Sequence, residues 1–498
     1  MSTKIEKQAH LVLTVNTLAF TICFACWMLN GVLVTYLVDN QVFDWSPVKI
    51  GWLMGIPVLT GAIFRLPFGL LTDKYGGKPI FTLLLLLAAI PMFFLSTVDS
   101  FFGFALCSFG FGITGASFAV GNAFTSYWFP KERQGLAMGI FGAGNAGAAI
   151  TTMFAPTILN KLTGGGEDIE SWRILPQIYA AVLVTTAILF FLLVKNKKPE
   201  AKKRSVGELF APLGKVRVWR FGLYYALVFG MFVSFSQWLI PYFVNVYYLP
   251  LVTAGILAAL FSFPSGVIRA LGGWLSDKWG ARKVMYWVLG TSVVFSFMMS
   301  VPKMDISTPG NGVMATAAGT VTFVSDTLII VNKTEYPLVK KTIKPKSEKF
   351  DKEEFNILPI KKAWQTAIVK EGDIVNKKEL LAKGETHITF QANVWIFAIL
   401  AIILGSIWGI GKAAVFKHIP EYYPTEVGVV GGMVGLIGGF GGFLGPILFG
   451  YLLEFTGLWT SSWIFMFLFS TICIVWMHKV VQKMMHEKVP NLMRKMDS

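Results

Sequence analysis

Two arginines, Arg65 and Arg269, stand inside long apolar stretches of the sequence, each about two helical turns before an Asp-Lys-aromatic-Gly loop. Two turns of α-helix span roughly 11 Å, so both guanidinium groups belong well inside a hydrocarbon layer. An arginine at that depth costs about 2.5–3.5 kcal/mol on insertion scales. The apolar spans contain no Asp or Glu except Glu454 at the edge of one of them. Two buried cations without a carboxylate need a compensating anion, and a diffusible one is the natural candidate. The guanidinium fork suits a planar oxyanion because it donates to two oxygens at once. The plainer reading is that each arginine bonds backbone carbonyls or lines water. A third polar group, Asn145, sits among the glycines of GLAMGIFGAGNAGAA. A buried amide must be hydrogen-bonded, and its NH₂ can complete an anion site beside the arginines.

The elements that hold these residues follow from composition. The chain has 498 residues, of which 54% are hydrophobic and only 14% charged, and its mean hydropathy is +0.60. Soluble domains carry roughly 25% charged residues, which excludes an ordinary soluble enzyme and a disordered chain. Residues 11–38 hold no charged side chain, and a bilayer span needs about 20 apolar residues. The alternating segments of about 10 residues that build a membrane β-barrel are missing. The chain therefore reads as an all-α integral membrane protein whose partner is the lipid bilayer. Its net charge of +16 fits basic cytoplasmic loops rather than a nucleic-acid interface. Cys23, Cys26, Cys107 and Cys473 all fall in apolar runs. They imply no disulfide and no metal, and the CxxC of Cys23 and Cys26 lacks the βαβ context of a redox site. No nucleophile–base pair or phosphate loop appears, so neither an enzyme nor a cofactor is expected. Lys4 and Lys7 precede the first apolar run, which is longer than a signal-peptide core of about 7–15 residues and reads as a retained helix.

Twelve spans are expected, from 11–38 to 456–477, with the tenth at 391–411. With the N-terminus inside, the inner segments hold 25 Lys and Arg, Lys412 among them, and the short outer loops hold Lys49, Lys161 and Arg173. The positive-inside rule then places both termini in the cytoplasm of an inner-membrane, multi-pass protein. An N-terminal six-helix half (1–194) leads through a basic linker (195–220) to helices 7–9 (221–302). Helices 10–12 (391–478) and a tail (479–498) complete the second half. The halves repeat: RLPFGLLTDKYG (65–76) matches RALGGWLSDKWG (269–280), pairing Arg65 with Arg269, Gly69 with Gly273 and Asp73 with Asp277 at an offset of 204. Pro130 and Pro424, in WFPKERQGLAMGIFG and YYPTEVGVVGGMVGLIG, are 294 apart. A parallel repeat of two six-helix halves is the signature of the major facilitator fold. The difference in offset leaves an insert at 303–390 with 14 Lys, no Arg and short alternating runs (TVTFV, LIIVN, TAIV, THITF). It reads as a small β-rich extracytoplasmic module between helices 9 and 10. VKEGDIVNKKELLAKG loosely resembles a biotinyl/lipoyl-type hairpin without its Met-Lys-Met triplet, so no modified lysine is expected there. A spacer is its plainest role, and an extracytoplasmic partner the alternative.

GIFGAGNAGAA on helix 5, GVVGGMVGLIGGFGGFLGP on helix 11 and an arginine upstream of each loop resemble the nitrate/nitrite porter family of the major facilitator superfamily, over everything but the insert. The resemblance implies a secondary transporter moving nitrate or nitrite by alternating access, with the anion between Arg65 and Arg269, Asn145 bonding it, and Phe118, Tyr225 and Phe229 as flanking aromatics. Gly144 and Gly438, of the paired glycine signatures, are expected among the substrate-binding residues, Gly438 lying near the repeat equivalent of Asn145. It also implies that Asp73 and Asp277, with Gly69 and Gly273, form inter-helix contacts that favour one access state. A monomer suffices. Coupling stays open, because a span without carboxylates points to nitrate/nitrite exchange while the GAGNAG form resembles the proton-coupled branch. Two rivals use the same arginines: an antiporter of small organic anions such as oxalate or formate, and a non-transporting anion sensor signalling through the insert.

Overall fold

In a computed structural model, the described residues are 2–198, 211–301, 304–341, 360–390, 392–423 and 427–488. The chain divides into a helical unit, Met1–Ser300 with Ala398–Ser498, and a second unit, Val301–Phe397.

The first half of the helical unit comprises α1 (Lys7–Asp39), α2 (Pro47–Tyr75), α3 (Gly77–Thr97), α4 (Phe101–Trp128), α5 (Leu136–Leu162) and α6 (Ile169–Leu193). The second begins with α7 (Val216–Tyr247) and α8 (Leu251–Val267 and Arg269–Trp279, bent by 47° at the break). It continues with α9 (Ala281–Met299), α10 (Val394–Tyr422), α11 (Val429–Thr456) and α12 (Ser461–His486). Among the described residues ten helices are long and apolar enough to cross a bilayer, and the bent α8 makes eleven. The remaining α9 opens on Arg282 and Lys283. The tenth helix is longer than the expected 391–411 span, and this corrects one assignment: Lys412, taken for a loop residue on charge alone, lies within α10.

Local chemistry sets the helix ends and breaks. Ser46 caps α2, and Pro47 occupies its first turn, where a missing N–H costs nothing. Pro57 lies mid-helix and cannot donate to the Leu53 carbonyl four residues back. Asn30 of α1 supplies that bond at 2.6 Å, and Trp27 donates to the Pro57 carbonyl at 2.7 Å. At the far end of α2, Gly76 has φ +89°, and its repeat partner Gly280 after α8 has φ +86°. Side chains avoid that region of backbone space, so each glycine turns the chain within one residue into the next helix. Irregular turns occur in α4 (3₁₀, Gly112–Ala116), α5 (3₁₀, Ala143–Ala146) and α7 (π, Ala226–Gly230).

Among its described residues the second unit is a β module of seven strands. Its strands are β1 (Met304–Met314), β2 (Gly319–Val324), β3 (Leu328–Val331), β4 (Thr334–Pro337), β5 (Ile360–Ala367), β6 (Ile374–Val375) and β7 (Leu380–Phe390). One sheet has the order β1-β7-β5 and the other β4-β3-β2-β6. Three of the alternating runs fall in β2, β3 and β7, whereas TAIV (366–369) only begins in β5. Val321, Ile329, Val331, Val375 and Leu381 form its core. Leu381 is fully buried, so Leu381→Ala is expected to cost about 2–5 kcal/mol through the cavity it leaves. Limited proteolysis of the full chain then shows faster cleavage within 301–397 and unchanged protection of the helices.

Candidate anion site

Arg65 of α2 and Arg269 of α8 face one ring. The guanidinium carbons lie 5.6 Å and 5.8 Å from the centre of Phe118 on α4. Arg65 is also 5.4 Å from Phe229 of α7, and Arg269 is 5.6 Å from Phe416 of α10. Tyr225 closes the set: it stacks on Phe229 at 5.0 Å and meets Phe416 edge-on at 5.0 Å. Four aromatic side chains thus link the two cations, and the negative faces of the rings partly offset the cost of holding charge at this depth.

The polar partners of the two cations differ. Arg65 Nη1 donates to the Gly435 carbonyl at 3.1 Å, and Nε to the Gly115 carbonyl at 3.4 Å. Gly115 lies in the 3₁₀ turn of α4, where the tighter winding redirects carbonyls away from ordinary helix partners. Two of five N–H groups are thus used, as in the plainer reading of the sequence, and the rest of the fork remains. Among the described residues Arg269 makes no hydrogen bond, and no aspartate or glutamate is buried. Such a cluster can bind a small planar anion: two donor forks, a clamp of π faces and no competing carboxylate.

The other expected residues fall around this cluster at varying distances. Arg269 Nη1 is 3.7 Å from where a Cβ on Gly142 would stand. Asn145 lies one turn further along α5 at 2% exposure; among the described residues its amide makes no hydrogen bond. Gly144 faces α1, where Phe20 fills the space a side chain would need. Phe20 stacks on Phe141 and tilts against Phe118, so Gly144 supports the clamp from behind. Gly438 lets Tyr225 lie flat against α11, since a Cβ there would overlap its ring. Asp73 accepts a short hydrogen bond from the Tyr127 hydroxyl of α4. Asp277 pairs with Lys417 of α10 at exposed positions, where ion pairs contribute little.

The glycines divide by level. On the side of the arginines away from the Asp73 and Asp277 loops, Gly51 abuts the Pro446 backbone, Gly450 the Pro47 backbone, and Gly255 the Thr152 carbonyl and Pro156. On the other side, Gly69, Gly273, Gly139 and Gly432 have no atom within 4 Å of an added Cβ. Gly69 and Gly273 lie one turn from Arg65 and Arg269 on the same helix faces. The central helices therefore pack tightly on one side of the site and part on the side of the Asp73 and Asp277 loops.

Lys412 was missed as a site residue. It is fully buried, its Nζ donates to Ser265 Oγ at 2.9 Å, and it rests 3.1 Å from the centre of the Phe232 ring. The signal was available: the offset of 294 that carries Pro130 to Pro424 carries Phe118 to Lys412. Phe416, one turn further, went unnoticed for the same reason, because the expected helix ended at 411.

Known proteins resemble this chain in both sequence and fold. The family model for the Major Facilitator Superfamily matches residues 15–336. The chain is 36% identical over 486 residues to the "Probable nitrate/nitrite antiporter NarK1" of Thermus thermophilus, covering 97% of this chain and 94% of that protein. It is 27% identical over 478 residues to the "Probable nitrate transporter NarT" of Staphylococcus carnosus, covering 96% and 98%. A "Nitrite extrusion protein" of Bacillus subtilis is 29% identical over 313 residues, 62% of this chain and 76% of that protein. Among solved structures, a bacterial homolog of the human lysosomal transporter Spinster, inward-facing and occupied, superposes with a TM-score of 0.62 at 15% identity, covering 95% of this chain and 97% of that one. That likeness concerns the fold.

Proposed function

The chain belongs to the Major Facilitator Superfamily and, within it, to the nitrate/nitrite porters, and we propose that it carries its anion between Arg65 and Arg269 by alternating access. It is a multi-pass membrane transporter of nitrate and nitrite, in a family of transporters rather than enzymes. The observation that carries the site is the pair of guanidinium groups on the shared Phe118 ring, with donors left over and, among the described residues, no buried acid beside them. Phe118, Phe229, Tyr225 and Phe416 clamp the planar ion, and Asn145 bonds it as α5 closes.

The charge arithmetic drives the cycle. Empty, the two arginines repel across a gap of low dielectric and oppose closure on both sides. A bound anion neutralises part of that charge, so the halves can close over it and reopen opposite. Even without Lys412, and with the insert set aside, the segments on the side of the termini hold 24 Lys and Arg against three in the short loops on the other. That supports cytoplasmic termini in the inner membrane, an inward-facing state here, and an extracytoplasmic insert. One chain contains every residue of the site, so a monomer suffices.

Proteoliposome counterflow tests this. Labelled nitrate outside should enter against trapped nitrite, and excess oxalate or formate should not compete. Competition by those carboxylates would reassign the substrate, and anion binding without turnover would make the chain a sensor.

The open faces of Gly69 and Gly273 give a sharper expectation. In the state described, Gly69→Ala and Gly273→Ala meet no atom and gain up to about 0.5–1 kcal/mol of helix stability. These glycines must close together when the cavity reverses, so transport should fall about 3–10-fold while thermal stability holds or rises. A fall in stability would show that they already pack against something.

A further inference from the structure

Lys412 is a third buried cation for which the clamp of Arg65 and Arg269 has no use. Its neighbours come from α7, α8 and its own helix, while α9, which packs on α10 at Val288 and Ser292, brings Arg282 to the Tyr422 hydroxyl at the end of that helix. From α8, Arg269 acts on it electrostatically, and Ser265, one turn before Arg269, is its hydrogen-bond partner. From α7, Phe232 lies beneath its Nζ, and Phe229, at 5.9 Å, is the ring that also faces Arg65. Tyr225 stacks on that same Phe229. On its own helix the nearest titratable groups are Lys417, paired with Asp277, and His418, stacked on Phe221. Among the described residues no carboxylate is buried with it.

Three positive charges around an empty site, without a counter-ion, are unfavourable in low dielectric, and a buried ionisable group relieves this by changing its protonation. Neither guanidinium can readily do so, whereas an amine can. The surroundings of Nζ suit both forms. The Phe232 ring favours the ammonium, and the Ser265 hydroxyl accepts from the ammonium or donates to the neutral amine.

We propose that Lys412 is the proton carrier that couples anion movement to the proton gradient, one proton bound at Nζ for each anion held by Arg65 and Arg269. This rests on the transport reading above and settles its open coupling in favour of symport. On the outer side a hydronium ion gives its proton to the Nζ amine as the anion enters, leaving water. On the inner side the anion departs, the two arginines again face the ammonium unopposed, and the proton passes to water. A monovalent anion and a proton move together, so the step carries no net charge. Linkage is reciprocal: whatever factor the anion adds to proton affinity, the proton adds to anion affinity.

The test begins with the wild-type protein in weakly buffered detergent solution. Nitrate addition should take up close to one proton per anion bound. Lys412→Met, similar in volume and uncharged, and Lys412→Arg, permanently charged, should each take up none. In proteoliposomes an acid-outside gradient should accumulate nitrate at least 10-fold with the wild type, and that drive should vanish in both variants. Anion binding by the wild type without proton uptake overturns the proposal, as does proton-driven accumulation by Lys412→Met or Lys412→Arg. Should Lys412→Met fail to fold, wild type and Lys412→Arg decide it. Absence of any nitrate or nitrite exchange by the wild type is a separate result, which overturns the transport reading itself.

Discussion

Replacing Arg269 with lysine is expected to lower initial nitrate uptake about 10- to 100-fold without loss of thermal stability. Arg269 spends no hydrogen bond on the described residues and lies between the Phe118 and Phe416 rings, so its fork serves the guest rather than the scaffold. Lysine keeps the charge but loses the planar pair of donors. A hydrogen bond to a charged group contributes about 1.5–3 kcal/mol, and each 1.4 kcal/mol is about tenfold in affinity. Arg65→Lys should show the same transport defect together with a lower melting temperature, because Arg65 also ties α2 to the Gly435 and Gly115 carbonyls. Labelled-nitrate uptake and thermal unfolding of the purified variants separate the two effects. Wild-type uptake in Arg269→Lys would remove the arginines from the binding site.

The second large effect is expected at Gly51. A Cβ there would stand 2.9 Å from the Pro446 carbonyl carbon and 3.0 Å from the Ile447 Cα, and backbone atoms cannot swing aside as a side-chain tip can. Overpacking of this kind costs about 1–3 kcal/mol. In Gly51→Leu the penalty falls on the state whose outer ends are closed and vanishes in the opposite state. The equilibrium should therefore move about 5- to 150-fold toward the outward-open form. Cysteines introduced near the arginines should become more reactive to an impermeant reagent outside, and uptake should fall at least tenfold. Unchanged reactivity with normal uptake would mean that α2 and α11 do not form the outer closure.

The sequence made the central pair legible because charge inside an apolar run is rare and the repeat offset of 204 says the two arginines are equivalent. The β module was legible from its break in composition. Lys412 was legible only through the repeat offset of 294 that pairs it with Phe118, because the apolar run of the expected α10 stops at 411, one residue short of it. Helix length continued past that residue because Ser265 and Phe232 receive the ammonium, a tertiary fact with no local signature. Asp73 was expected to make a charge contact, and its partner is the Tyr127 hydroxyl, from which it accepts a hydrogen bond. Its repeat partner Asp277 does pair with a cation, so pseudo-symmetry in sequence did not carry over to partners. The glycines were visible as a class, but a glycine does not announce what it faces. The split between Gly51 at a backbone and Gly69 at open space belongs to one conformational state and not to the sequence.

Gly76 and Gly280 each join two long helices through a single residue. Such joints leave no slack: α2 cannot advance without dragging α3, nor α8 without α9. Each pair therefore behaves as a stiff oar with its blade at the cavity. The displacement needed to reverse access must be absorbed between Leu193 of α6 and Val216 of α7, so shortening that stretch of chain should arrest the stroke even with every residue around the anion intact.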